Sequence, residues 1–98
     1  MQNQEQYLSE QFDRLPIEVK EALFEIVKEY EVAVVKHPNW PQDLIHCASI
    51  VGEEAGELLQ ASLQHIYEEG SFGAIEKEVI QTGAVSLRLL INLKGGGQ

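Results

Sequence analysis

The sequence predicts an all-α domain, and three observations carry the prediction. Apolar residues recur at three- and four-residue spacing over three long stretches. No stretch alternates apolar and polar residues as a half-buried strand would. Each long stretch is also bounded by start or stop signals: Pro16, the His37–Pro41 break, Gly70–Ser71 and Gly95–Gly97. With 98 residues there is room for one small core and no second domain.

The elements follow in chain order. Residues 1–15 are polar, with Tyr7, Leu8, Phe12 and Leu15 at helical spacing, and form an N-terminal arm or a short helix. Pro16 suits the first turn of the next helix. From Ile17, Val19, Ala22, Leu23, Ile26, Val27, Tyr30 and Val34 keep helical period to about Lys36, with Tyr30 and Phe24 expected in the core. A second helix is expected from about Pro41 to Tyr67, with Asn39 and Gln42 as a capping box. Its main apolar stripe is Leu44, Ala48, Val51, Ala55, Leu58, Leu59 and Ile66. Gly70 ends it, Ser71 caps a third helix running to Lys94, and residues 95–98 form a glycine-rich flexible tail. Residues 16–94 make up the domain.

Two of these helices are apolar on more than one side. On the second, Cys47, Ile50 and Ala61 lie beside Glu54 and Glu57, well round from Leu44 and Ala55. On the third, Val85 and Leu89 lie near Glu78, away from Ile80 and Leu87. Helices apolar on two sides need more partners than one short chain offers. An antiparallel bundle completed by homodimerisation is expected, with a tetramer as the variant.

Composition removes several classes of partner. Seven basic residues against sixteen acidic ones leave a net charge of −9. Nucleic-acid polymers and anionic membranes need a basic patch, so neither is expected as a direct partner. Acidic excess by itself also serves solubility. The single cysteine, Cys47, cannot form an internal disulfide and sits among apolar neighbours, so it reads as a small buried hydrophobe in a reducing compartment. No apolar run approaches the ~20 residues of a membrane span, and Met1–Glu10 lacks a secretory pattern. A cytoplasmic location is expected.

The chemistry concentrates in Glu53-Glu54-Ala55-Gly56-Glu57 and, on the next helix, Glu78-Val79-Ile80-Gln81. Carboxylates three and four apart share one side of a helix. Two such charges ~4 Å apart cost about 4 kcal/mol at an effective dielectric near 20. Antiparallel packing through the Gly70 turn would bring both acidic elements to similar heights. Either these groups stay solvated, or a cation offsets them. Gly56 leaves a helix position without a side chain, which suits close approach of a neighbouring backbone or ligand. Carboxylate oxygens without histidine select a hard cation, Mg²⁺ or Mn²⁺. A di-iron bundle would need Glu-x-x-His on two helices, and none occurs. Zinc is poorly served by one cysteine and three scattered histidines.

The run from Asp43 to Gln60, with Glu78 to Leu90, resembles the MazG-like branch of the all-α nucleoside triphosphate pyrophosphohydrolases. The resemblance covers about residues 36–93 and rests on EExxE on one helix and ExxD on the next. Glu53, Glu54 and Glu57 match the first element and Glu78 begins the second. Gln81 stands where the pattern has aspartate; its amide oxygen can ligate Mg²⁺, with one negative charge fewer. The resemblance implies hydrolysis of a nucleoside triphosphate to monophosphate and pyrophosphate. It implies metal ligation by Glu54, Glu57, Glu78 and Gln81, and water activation or outer ligation by Glu53. Arg88 and Asn92 then reach phosphate or sugar, Trp40 stacks on a base, and Lys36 with His37 meets phosphate. Each of these has a plainer counterpart: an ion pair for Arg88, a staple of the fold for Trp40, a solvated face for the glutamates. The competing functions are a catalytically weak helical dimer that binds nucleotides or a protein partner, and an acidic interaction module.

Overall fold

The computed structural model describes residues 3–96. Four α-helices follow one another: α1 (Gln4–Asp13), α2 (Ile17–Lys36), α3 (Leu44–Tyr67) and α4 (Phe72–Ile91). A π-type turn, Asn92–Gly96, closes the chain, and no strand occurs among the described residues. The all-α expectation holds.

Local chemistry sets most boundaries. Asn3 caps α1, its side-chain oxygen accepting from the Gln6 N–H at 2.7 Å. Lys20 ties that helix to α2 by donating to the Asp13 carbonyl at 3.1 Å. Pro16 occupies the position just before α2, with its φ of −57° already set. Ser71 caps α4 as expected, accepting from the Ala74 N–H at 3.1 Å.

Two boundaries differ from the sequence expectation. α3 begins at Leu44, three residues later than Pro41, because Asp43 rather than Asn39 is the cap; its carboxylate accepts from the His46 N–H at 3.0 Å. Pro41 therefore lies outside the helix, where its carbonyl accepts from the Cys47 thiol at 3.0 Å. Cys47 is fully buried, as expected of a small hydrophobe. At the other end α4 gives way at Ile91, and Leu93 and Lys94 belong to the wider terminal turn. Gly95 takes a φ of +91° there, so Gly95 and Gly96 form part of a defined turn. Gly97 and Gln98 of the expected tail, like Met1 and Gln2 of the arm, lie outside the described residues.

The α3–α4 hairpin uses its residues differently from the sequence reading. Glu69, not Gly70, adopts the left-handed conformation, with φ of +58°. Gly70 is needed for close approach: a Cβ there would fall 3.1 Å from the Gln64 carbonyl carbon. The Gly70 N–H donates to the Gln64 carbonyl at 2.9 Å, and the His65 Nδ1–H donates to the Gly70 carbonyl at 2.8 Å.

α4 is the centre of the fold. It packs antiparallel against α3 on one side and against α2 on the other, while α2 and α3 hardly meet. α4 thus has a neighbour within the chain on two sides, while Val79, Leu90 and Ile91 of its apolar stripe stay exposed. α3 differs. Its buried side carries Cys47 and Ala61, whereas most of the expected main stripe, including Leu44, Ala48, Ala55, Leu59 and Ile66, faces outward. Phe24, expected in the core, is 62% exposed, and Tyr30 is half-buried beside a cavity.

The result is an open helical layer. Its radius of gyration is 15.9 Å, against the roughly 13 Å of a compact chain of this length. Its accessible surface is 7442 Å², where a folded monomer of this mass exposes about 5,600 Å².

Where α2 crosses α4, a Cβ on Gly83 would stand 3.0 Å from Cδ1 of Ile26. A β-branched side chain has no room at that crossing. Gly83→Val is expected to destabilise the fold by about 2 kcal/mol in urea denaturation, despite removing a helical glycine.

Candidate metal centre

Packing α3 antiparallel to α4 sets the two acidic elements side by side. One oxygen from each of Glu54, Glu57 and Glu78 lies within 4.8 Å of the others. The hairpin fixes this register: both elements lie away from the turn held by Gly70, His65 and Ser71. Glu54 and Glu78 are half-buried, and Glu57 is exposed. Thr82, one turn after Glu78, donates to its backbone carbonyl at 2.7 Å.

The electrostatics of the cluster run one way. Burial raises the Glu54 carboxyl above its ordinary value. The charges of Glu57 and Glu78, a hydrogen bond with Glu57 and the charge of Glu53 add to that rise. One oxygen of Glu54 and one of Glu78 are buried without a hydrogen-bond partner among the described residues. Buried polar atoms in native proteins are nearly always paired, so two orphaned oxygens in one cluster ask for a positive partner.

The donor set fits a hard dication. Magnesium binds oxygen at about 2.1 Å, so ligands on opposite corners of its octahedron are about 4.2 Å apart. Neighbouring corners are about 3.0 Å apart, and three ligands include at least two such pairs, so oxygens spread over as much as 4.8 Å would close by up to about 2 Å through side-chain rotation. Three carboxylates without nitrogen or sulfur favour Mg²⁺ or Mn²⁺ over softer metals.

The remaining sequence-predicted residues divide into two groups. Gln81 and Lys36 join Glu54 around a cavity of about 210 Å³ between α2 and α4, together with His37 and Glu29. Glu53 is exposed, outside the three-oxygen cluster, and acts on Glu54 through its charge. Trp40, Arg88 and Asn92 surround a different cavity of about 400 Å³, which shares no lining residue with the first. The Arg88 guanidinium stacks over the Trp40 ring, 4.8 Å from its centroid, and donates to the Ala33 carbonyl at 3.4 Å. Outside its own helix turn, a Cβ on Gly56 would have no neighbour within 4 Å among the described residues.

Sequence reasoning missed Glu29, whose side of α2 reads as a solvated face. It also took Asn39 and Gln42 for a helix cap and Tyr30 for core, whereas all three line the larger cavity. The signal for Asn39 and Gln42 was Asp43 itself, a better cap that leaves both residues free.

A carboxyl whose folded-state value is raised has a definite stability sign. Below its unfolded value, near the ordinary 4.5, Glu54 is protonated in both states and contributes no penalty. As pH rises through the raised value, the folded state must hold an extra charge and stability falls. In chelator at neutral pH, Glu54→Gln is expected to raise the melting temperature by about 2–4 °C, the effect of roughly 0.5 kcal/mol in a domain of this size. At pH 4 that gain is expected to vanish. No protein family, no characterised protein and no solved structure matches the chain.

Proposed function

We propose that this chain is a metal-dependent nucleoside triphosphate pyrophosphohydrolase acting as a homodimer. The observation that supports it most is the meeting of Glu54, Glu57 and Glu78 across two helices, with two buried oxygens unpartnered. Such a cluster repels a triphosphate when bare and attracts it once a dication is bound. The resemblance of EExxE and the following helix to the MazG-like branch supplies the reaction class.

In this reading Glu54, Glu57 and Glu78 hold the cation, and Gln81 adds a neutral oxygen from the adjoining cavity. A bound Mg²⁺ supplies Lewis-acid stabilisation of phosphate oxygens and lowers the pKa of a coordinated water. Glu53, exposed beside the cluster, takes the proton of the attacking water. Lys36 lines the same cavity and neutralises charge on the departing pyrophosphate. Water adds at the α-phosphorus, the bond to the α–β bridging oxygen breaks, and monophosphate and pyrophosphate leave.

Dimerisation is supported by area and by pattern. The chain exposes about 1,800 Å² more than a monomer of its mass, within the range that an obligate partner covers per subunit. The outward face of α3 presents Ile45, Ala48, Gly52, Gly56, Leu59 and Leu63, three small residues flanked by large ones. Small residues admit a second helix at close range, which gives Gly56 the role that its own chain leaves open.

A second reading, a catalytically weak dimer of the same fold that binds nucleotides or a protein, is favoured by one feature. Gln81 removes a charge from the ligand set.

With Mg²⁺ and a panel of canonical and modified nucleoside triphosphates, pyrophosphate release is expected, and Glu57→Gln is expected to lower it on the order of 100-fold or more with helicity intact. Unchanged activity in that variant overturns the ligand assignment; no activity on any triphosphate favours the second reading. In light scattering the chain is expected at twice its 11.0 kDa, and Gly56→Leu at the mass of a monomer. A monomeric unmodified chain at micromolar concentration overturns the dimer.

A further inference from the structure

α1 has an apolar side that its own chain leaves uncovered. Tyr7, Leu8 and Phe12 share that side and are all exposed, and no residue of the helix is buried. Only its last turn is tied down, where Lys20 donates to the Asp13 carbonyl and lies over the Phe12 ring. Elsewhere α1 hardly touches the other helices. The molecule is 56 Å long although its longest helix, α3, spans about 36 Å, in keeping with an arm that projects from the bundle. A helix of 10 residues is marginal in water by itself and draws its stability from packing.

The outer side of α2 carries a matching surface. Lys28, Glu31, Val32, Val35 and Lys36 line a shallow groove of about 510 Å³ whose walls are almost wholly apolar. Val35 is 80% exposed there. Phe24 continues the stripe one turn earlier, with the Lys28 ammonium 5.5 Å from its ring centroid. Two lysines against one glutamate make the groove net positive in a chain of net charge −9. α1 is its complement. Its charges are Glu5, Glu10 and Asp13, with no basic residue among them, and Glu5 borders the Leu8–Phe12 side. The outward face of α3 offers no such match, because Glu53 borders it and α3 holds no lysine or arginine. An amphipathic helix laid into a groove of opposite charge is a recurrent mode of recognition.

α1 cannot cover this groove on its own chain. Folded back along α2 from its first turn, its 10 residues extend about 15 Å, whereas Val32 lies about 22 Å and Val35 about 27 Å beyond Ile17. We infer that α1 of one copy docks in the Val32–Val35 groove of a second copy, with Glu5 toward Lys28, and receives the second copy's arm in return. A reciprocal exchange of this kind closes on two chains. The surplus surface of about 1,800 Å² exceeds the roughly 800 Å² per chain of a standard interface, so pairing through α3 does not exhaust it. The contact rests neither on the α3 face nor on the carboxylate cluster. Two short arms bury little area, so it forms at higher concentration than the α3 dimer.

Sedimentation equilibrium of the full chain and of Gly56→Leu tests the exchange. Between about 10 µM and about 1 mM each is expected to double its mass, with half-association at roughly 0.1 mM. Hydrogen exchange at residues 5–12 is expected to slow over the same range as α1 becomes packed. Val35→Glu sets a charge on the apolar wall at a solvent-facing position. It is expected to raise half-association at least about fivefold with circular dichroism unchanged. Lys28→Glu, and salt at about 0.5 M, are expected to act in the same direction. In an equimolar mixture of Leu8→Cys and Val35→Cys, mild oxidation is expected to join the two chains through those cysteines, read from the mass of the linked peptides. The native Cys47 is buried and does not compete. A mass that stays constant to about 1 mM overturns the proposal and leaves the groove to a different protein. Val35→Glu that doubles its mass as the parent does overturns it as well. So does linkage within one chain at low concentration when both cysteines are placed together, which would fold the arm onto its own α2. Failure of the α3 dimer changes the starting mass and not the doubling, so the two outcomes are told apart.

Discussion

Bringing three carboxylates within 4.8 Å of one another is unfavourable, and much of this molecule is organised around that constraint. The α3–α4 hairpin imposes the encounter. Its turn is pinned by the Gly70 N–H to Gln64, by His65 to Gly70 and by the Ser71 cap, so the register of the two helices cannot slip to relieve the repulsion. Solvent does not relieve it fully either, because one oxygen of Glu54 and one of Glu78 are buried without a partner. Under the proposed function, a dication held between these carboxylates offsets the repulsion.

α4 makes the arrangement possible by serving two neighbours at once. Its Glu78 side meets α3, and Gly83 lets α2 approach on the other. Glu54 of the cluster consequently lines a groove whose opposite wall is the end of α2, where Lys36 and His37 stand. The same geometry leaves the outer faces of α2 and α3 open. The large exposed surface and the extended shape follow from it, and they account for the apolar residues left facing outward.

Much of this was legible in the sequence. The helical class, the bounds of α2, the Ser71 cap and the burial of Cys47 follow from periodicity and local hydrogen-bonding chemistry, which act over a few residues. The side-by-side placement of Glu54, Glu57 and Glu78 was also legible, because spacing puts carboxylates on one side of each helix and the connecting turn dictates antiparallel packing. Competing local signals were harder. Asn39 and Asp43 are both plausible caps, and the chain uses Asp43, which leaves Pro41 outside the helix with its carbonyl accepting from the Cys47 thiol. Glu69 in a left-handed conformation, beside a glycine that does not use its freedom, is another case where a tertiary approach overrode a local preference.

Periodicity reports that a helix side is apolar, not what covers it. The sequence by itself determined three long helices, an acidic cluster on two of them and helices that seek partners on more than one side. Only the tertiary structure decided that α4 finds both partners within the chain while α3 keeps its larger stripe outward. It also decided that Lys36 and Gln81 share a cavity with Glu54, whereas Trp40, Arg88 and Asn92 surround another. The physical reason is range. Hydrogen bonds and side-chain spacing specify segments a few residues long, and the crossing of α2 over α4 depends on contacts such as Ile26 against Gly83 that lie far apart in the chain.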